Sequence, residues 1–263
     1  MKRNLKLALL MAFCLTATAC GKTAEKPAEK KAEKQLKTEI NYGITSSPEG
    51  KFNPLFSNTQ YDGNVNALVY DSLLKLNSKI ELEPAMAEKY EISEDGKKVV
   101  FTLRDGLKFH DGKPVTSKDV KFTLEAIGSP DYEGDLQSYV QSIDGFKELQ
   151  EGKETEIKGI VCKDDKTVEI NFLVSYSPVL INIGTLGILP QHIWGSVPVI
   201  EWANKADLLA KPIGSGAYKL EEFKTGEFVK LSANEDYYKG APKLKTFTFK
   251  VVKEETASAE LIN

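Results

Sequence analysis

The sequence predicts a mixed α+β body within the α/β class, carried behind an export segment. Three observations predict it. Short runs of alternating apolar residues, bounded by Gly, Asp and Pro, recur through residues 38–263. Stretches with apolar residues at helical spacing lie between them. The two kinds of segment follow one another without strict alternation, which favours a mixed sheet-and-helix body over a doubly wound one.

The N-terminus comes first. Lys2, Arg3 and Lys6 precede an apolar stretch, Leu7 to Leu15, and then the small residues Ala17-Thr18-Ala19 before Cys20-Gly21. The stretch is short for a membrane span, which needs about 20 apolar residues, so residues 1–19 are expected to be a cleaved signal. A cysteine directly after small residues points to lipidation of Cys20. The pattern departs from the usual lipoprotein signal in having Ala17, not Leu, three residues before the cysteine. Residues 20–37 follow, with Leu36 the one large apolar side chain. Such a segment buries too little surface to offset its ordering entropy and is expected to be a charged, flexible tether.

Composition then limits the chemistry. The formal charge is −3, and it becomes more negative once Lys2, Arg3 and Lys6 are removed. A mildly acidic body argues against nucleic acid, which demands a basic face. With Cys14 cleaved and Cys20 lipidated, Cys162 has no partner for an internal disulfide and is expected to be a buried structural thiol. His110 and His192 lack ligand spacing, so neither a metal nor a cofactor is expected. G-x-S-x-G and H-E-x-x-H are absent, which weighs against an extracellular hydrolase.

In order along the body, Ile40, Tyr42 and Ile44 alternate as a first strand that ends at Ser46-Ser47-Pro48. Val65, Leu68, Val69 and Leu73 share a helical face. Tyr90 and Ile92, the turn Asp95-Gly96, and Val99, Phe101 and Leu103 form a hairpin. Arg104-Asp105-Gly106 and His110-Asp111-Gly112 are turns in which Gly accepts positive φ and Asp bonds nearby backbone. Thr116 starts a helix, with Asp119 placed for a capping box and Val120, Thr123, Leu124 and Ile127 on one face. Ile157–Val161 and Val168–Phe172 form a second hairpin. Pro178 opens a short helix to Ile183. Tyr218–Phe223 and Phe228–Leu231 pair across Thr225-Gly226, Phe247, Phe249 and Val251 alternate, and residues 254–263 read as a helix. Gly214-Ser215-Gly216 lacks the third glycine of a nucleotide loop, because Lys219 stands there, and reads as a tight turn into a strand. Phe101, Phe109, Phe247 and Phe249 are expected in the core.

Several segments together resemble the bacterial peptide/nickel solute-binding proteins of ATP-driven importers, solute-binding family 5. They are Asn53-Pro54-Leu55; Val69 to Leu74; Leu82 to Glu88; Val100 to Val120 (VFTLRDGLKFHDGKPVTSKDV); Ile188 to Ile193; and Pro212 to Tyr218 with Asn234 to Tyr238 and Gly240-Ala241-Pro242. Ser215 and Ala217 stand where the family usually has Thr and Pro; both glycines remain. The resemblance implies a type II periplasmic-binding-protein fold, a two-lobed clamp that closes on ligand by a hinge. Family members are much longer, so residues 38–263 are expected to be the first lobe alone.

The resemblance further implies a monomeric, extracytoplasmic, lipid-anchored protein that captures oligopeptide in the interlobe cleft and delivers it to an ABC permease with a cytoplasmic ATPase. Nickel-chelate, haem or oligosaccharide binding is the alternative within the family; a surface adhesion or signalling lipoprotein is one outside it. In the family the loop after the first strand faces the cleft, which makes Thr45, Ser46 and Ser47 the first candidates for bonding a ligand backbone. Asn58 and Tyr61 on the next loop, and Tyr176, are the others. No catalytic residue is expected.

Overall fold

The computed structural model describes residues 38–57, 59–175 and 178–253. The signal, Cys20, the tether and the helix expected over 254–263 lie outside the described residues, as do Asn58, Tyr176 and Ser177. The fold is the expected mixed α/β one.

The period-two runs pair into two four-stranded sheets. In the first, β4 (Ala87–Ile92), β5 (Lys98–Leu103), β7 (Thr167–Asn171) and β6 (Ile160–Cys162) lie in that order, all antiparallel. Val99, Phe101 and Leu103 of β5 point to one face and are buried. Helix α2 (Ser117–Gly128) brings Val120, Leu124 and Ile127 into the same core. Its start is fixed by Asp119, one of whose carboxylate oxygens accepts the Thr116 N–H at 2.8 Å. The other accepts the Gln191 N–H at 3.0 Å, at the first residue of the short helix α5 (Gln191–Trp194).

In the second sheet the order is β1 (Glu39–Ile44), β10 (Thr246–Val251), β9 (Phe228–Ala233) and β8 (Tyr218–Lys224). The β1–β10 pair is parallel and the rest antiparallel. A smaller hairpin, β2 (Leu74–Leu76) with β3 (Leu82–Pro84), follows helix α1 (Gln60–Val69). Further short helices are α3 (Phe146–Gln150), α4 (Val179–Asn182) and α6 (Ala206–Leu209). No helix among the described residues is long and apolar enough to cross a membrane.

Three expectations need correction. Leu73 is buried but stands beyond α1, which ends at Val69 because Asp71 and Ser72 turn the chain into β2. The second hairpin is shorter than its apolar pattern: β6 begins at Ile160, and Ile157 packs as a loop residue whose N–H bonds the Glu125 carboxylate at 2.9 Å. Cys162 is half-buried, not buried, since it is the last residue of edge strand β6. Of the four phenylalanines, Phe101, Phe109 and Phe249 are buried and Phe247 is half-buried.

Candidate functional site

Helix α1 organises the site because its two faces do different work. Thr59 caps it, accepting the Asp62 N–H at 3.1 Å. Val65 and Val69 face the core. Asp62 is fully buried, and its carboxylate accepts three backbone N–H groups, from Glu49, Gly50 and Lys51, at 2.9–3.0 Å. That single carboxylate therefore ties the loop after β1 to the start of the helix.

Gly63, Asn66, Ala67 and Tyr70 are spaced to share another face of α1. With Pro54, Ser57, β2 (Leu74, Lys75, Leu76), the 3-10 turn at 136–139 and the segment 182–187 after α4, they line a cavity of about 480 Å³. Close backbone approach closes one side. A Cβ on Gly187 would lie 3.0 Å from Tyr70 Cβ and 3.1 Å from Pro54, a fit so tight that any larger residue would make these two neighbours yield by a few tenths of an ångström.

Most polar groups in this lining are already engaged. The Tyr70 hydroxyl donates to the Phe52 carbonyl at 3.0 Å, and burial pushes its phenol well above the usual range. Ser72 Oγ donates to the Leu74 carbonyl at 2.7 Å, and Thr185 Oγ1 to the Ile181 carbonyl at 2.6 Å. Lys75 Nζ lies 2.8 Å from Asp71, a carboxylate fully buried and also accepting the Tyr237 hydroxyl at 2.7 Å. The lysine charge is thus matched within the protein. Asn66 differs: it is 5% exposed, and neither end of its carboxamide has a hydrogen-bond partner.

The residues singled out in the sequence lie outside this cavity: Thr45, Ser46 and Ser47 in the loop after β1, and Tyr61 in the first turn of α1 rather than on the loop expected for it. Thr45 and Tyr61 come together, their hydroxyls 2.9 Å apart on the exposed side. Ser46 is exposed. Ser47 Oγ donates to the Pro48 carbonyl and accepts the Gly226 N–H at 2.9 Å, joining the first loop to the β8–β9 turn. None of the four is in the cavity lining. Asn58, Tyr176 and Cys20 are outside the described residues. The sequence reading passed over Asn66, Tyr139 and Thr185. For Asn66 a signal existed: the 63–66–67–70 spacing marks a second face of a helix already recognised.

The two glycine-rich motifs meet behind α1. His110 Nδ1 faces the Gly214 N–H at 3.3 Å, and Nε2 faces the Gly216 carbonyl at 3.0 Å. Desolvation by burial lowers the His110 pKa to about 4, so the ring is neutral at pH 7, with the proton on Nε2 and Nδ1 accepting. A Cβ on Gly216 would stand 2.3 Å from the Leu68 carbonyl oxygen, so this loop packs directly on the end of α1. The segment leads into β8 as expected, but as a bend over 215–217 rather than a hydrogen-bonded turn, because the Gly216 N–H bonds the Val69 carbonyl at 2.8 Å. Gly106 and Gly112 take φ of 72° and 87°, as their turns require.

A family model described as bacterial extracellular solute-binding proteins, family 5, middle part, matches residues 81–263. Oligopeptide-binding protein AppA of Bacillus subtilis is 32% identical over 210 residues, which are 79% of this chain and 36% of the relative. The structure of AppA from Bacillus subtilis in complex with a nonapeptide matches with a TM-score of 0.75 at 30% identity, covering 85% of this chain and 42% of that one. NikZ from Campylobacter jejuni in complex with Ni(L-His) matches with a TM-score of 0.72 at 26% identity, covering 86% and 42%. The chain spans 36–42% of the length of these relatives.

Proposed function

Since the chain belongs to the bacterial extracellular solute-binding proteins, family 5, we propose that it forms one lobe of a clamp that captures oligopeptides outside the cell and passes them to an ABC permease. Lipid on Cys20 holds it at the outer face of the membrane, and residues 20–37 are the tether. The protein acts as a monomer and performs no catalysis. Thr45, Ser46, Ser47, Asn58, Tyr61 and Tyr176 contribute to ligand binding, while the α1 cavity receives part of the ligand body.

The observation that carries this reading is the character of the cavity. Its walls are apolar or neutral polar, and its lysine is already matched by Asp71. A pocket with no free charge suits an uncharged backbone and varied side chains. The names printed for AppA and for its nonapeptide complex support the peptide class.

NikZ, matched at 26% identity in complex with Ni(L-His), favours a second reading, a metal chelate. Calorimetry on the lipid-free, full-length parent decides between them. Saturable heat with mixed peptides and none with nickel–histidine is expected; the reverse result overturns the peptide class. Metabolic labelling with palmitate should mark the wild type and not Cys20→Ala. Equal labelling of both would overturn the anchor.

A further inference from the structure

Two stretches far apart in the chain meet in the cavity wall: Pro54 to Ser57, and Leu136 to Tyr139. A side chain outside the lining joins them. Tyr132 is buried, and its hydroxyl donates to the Leu55 carbonyl at 2.6 Å. Burial pushes its phenol well above the usual range, and the Leu136 amide acts on the same oxygen in the opposite sense. The chain then passes directly over that bond. A Cβ on Gly134 would stand 2.1 Å from the Tyr132 hydroxyl oxygen and 2.8 Å from the Leu55 carbonyl oxygen, so any side chain there would break the bond or displace the chain. Among the described residues, the other hydrogen bonds of 130–139 reach no further than Ser129 and Gln141. The ring is held separately, with its centroid 5.2 Å from that of Phe56, which in turn lies 6.5 Å from Trp202.

We infer that the Tyr132 hydroxyl is a positioning group: it fixes the 136–139 wall against Pro54 and Ser57 and so sets how large a ligand group the cavity accepts. Leu136 and Tyr139 are half-buried and pack on the core. Apolar packing holds them close but is non-directional. A short hydrogen bond is directional and specifies one separation. Tyr132 therefore acts through Leu136 and Tyr139 without touching ligand. The inference rests on the peptide-binding reading and adds to it a residue that governs size selection.

Two measurements on Tyr132→Phe, which keeps the ring and removes the oxygen, test it. In the chain itself, amide hydrogen exchange is followed at Tyr139 and Val140, whose N–H groups bond the Leu136 and Gln137 carbonyls. Exchange there should quicken about threefold to tenfold, the equivalent of one net hydrogen bond, while Val120 and Leu124 in α2 keep their wild-type rates. In the lipid-free, full-length parent, calorimetry compares pentaalanine with the same peptide carrying a central phenylalanine. A wall free to yield should move the ratio of the two Kd values about threefold or more toward the phenylalanine peptide. A residue that only supports the fold would weaken both peptides equally. Gly134→Ala, which drives a methyl group into the same bond, should act in the same direction.

Unchanged exchange at Tyr139 and Val140 overturns the inference. So does a Kd ratio that stays fixed in Tyr132→Phe. If Gly134→Ala fails to fold, Tyr132→Phe alone decides. The two claims fail separately. Peptide heat with an unaltered ratio sinks the role of Tyr132 and spares the peptide reading. A parent silent with both peptides sinks the peptide reading, and exchange in the chain still decides whether Tyr132 positions the wall.

Discussion

The two four-stranded sheets carry the same sequence signature and meet different fates. In the β4-β5-β7-β6 sheet, every second residue of β5 and β7 is sealed beneath α2 and its neighbours, and Phe101 is 0% exposed. In the β1-β10-β9-β8 sheet, burial fades across the strands. Val229 and Leu231 in β9 are fully buried, Phe249 in β10 nearly so, while Ile40 and Tyr42 in β1 are 39% and 52% exposed. Strand β1 is an edge, hydrogen-bonded to β10 on one side. Its Tyr42 ring rests edge-on against Phe249, 5.8 Å between centroids. Alternation therefore tells which residues share a face; it does not tell whether anything covers that face. An uncovered apolar edge is also a template for unwanted pairing.

The largest test of this contrast is Phe101→Ala. Emptying a sealed site should cost about 3–5 kcal/mol in denaturant unfolding, and a loss below about 1 kcal/mol would show that the first sheet is not the better-buried one.

Acid comes next, because His110 fastens the turn after β5 to the loop that starts β8. Its folded pKa is depressed from 6.5 to about 4, so the unfolded chain binds the proton first. The neutral ring's contribution is complete above pH 6.5 and is lost as pH falls toward 4, about 3 kcal/mol in total. Lys219 nearby disfavours the imidazolium and Asp111 favours it, both less than burial does. Hydrogen exchange between pH 7 and 4 should show β8 losing protection before β5. Simultaneous loss would remove His110 as the joint, and His110→Gln should flatten the pH dependence.

A smaller effect is expected at Asp62→Ala. It strands three loop N–H groups and should cost about 2 kcal/mol, with limited proteolysis moving to residues 48–51. An unchanged cleavage pattern would mean that the loop holds itself. Least of all, Tyr42→Ala should cost under about 1 kcal/mol in denaturant unfolding. A cost rivalling that of Phe101 would erase the contrast between the sheets.

Local structure was the legible part. The Asp95-Gly96 and Thr225-Gly226 turns between alternating runs fixed two hairpins, and Thr116 with Asp119 fixed the start of α2, because each depends on residues close in sequence. The parallel pairing of β1 with β10 was not legible: it joins Ile40 to Phe247 across the whole chain, and no local pattern encodes it. Leu73 misled for a related reason, since its apolar character fits both a longer α1 and the turn into β2. The motif segments gave the family, and the structure shows why two of them travel together, through His110 and the glycine loop. The cavity stayed hidden. Asn66 looks like an ordinary polar helix residue until its burial and its missing partners are known.

Asp119 has a consequence of its own. One carboxylate begins α2 with one oxygen and α5 with the other, although 72 positions separate Asp119 from Gln191. Helix α2 takes its cap from residues beside it, whereas the first N–H of α5 acquires its partner only once the chain between has brought Gln191 to Asp119. The docking of α5 should therefore follow the formation of α2.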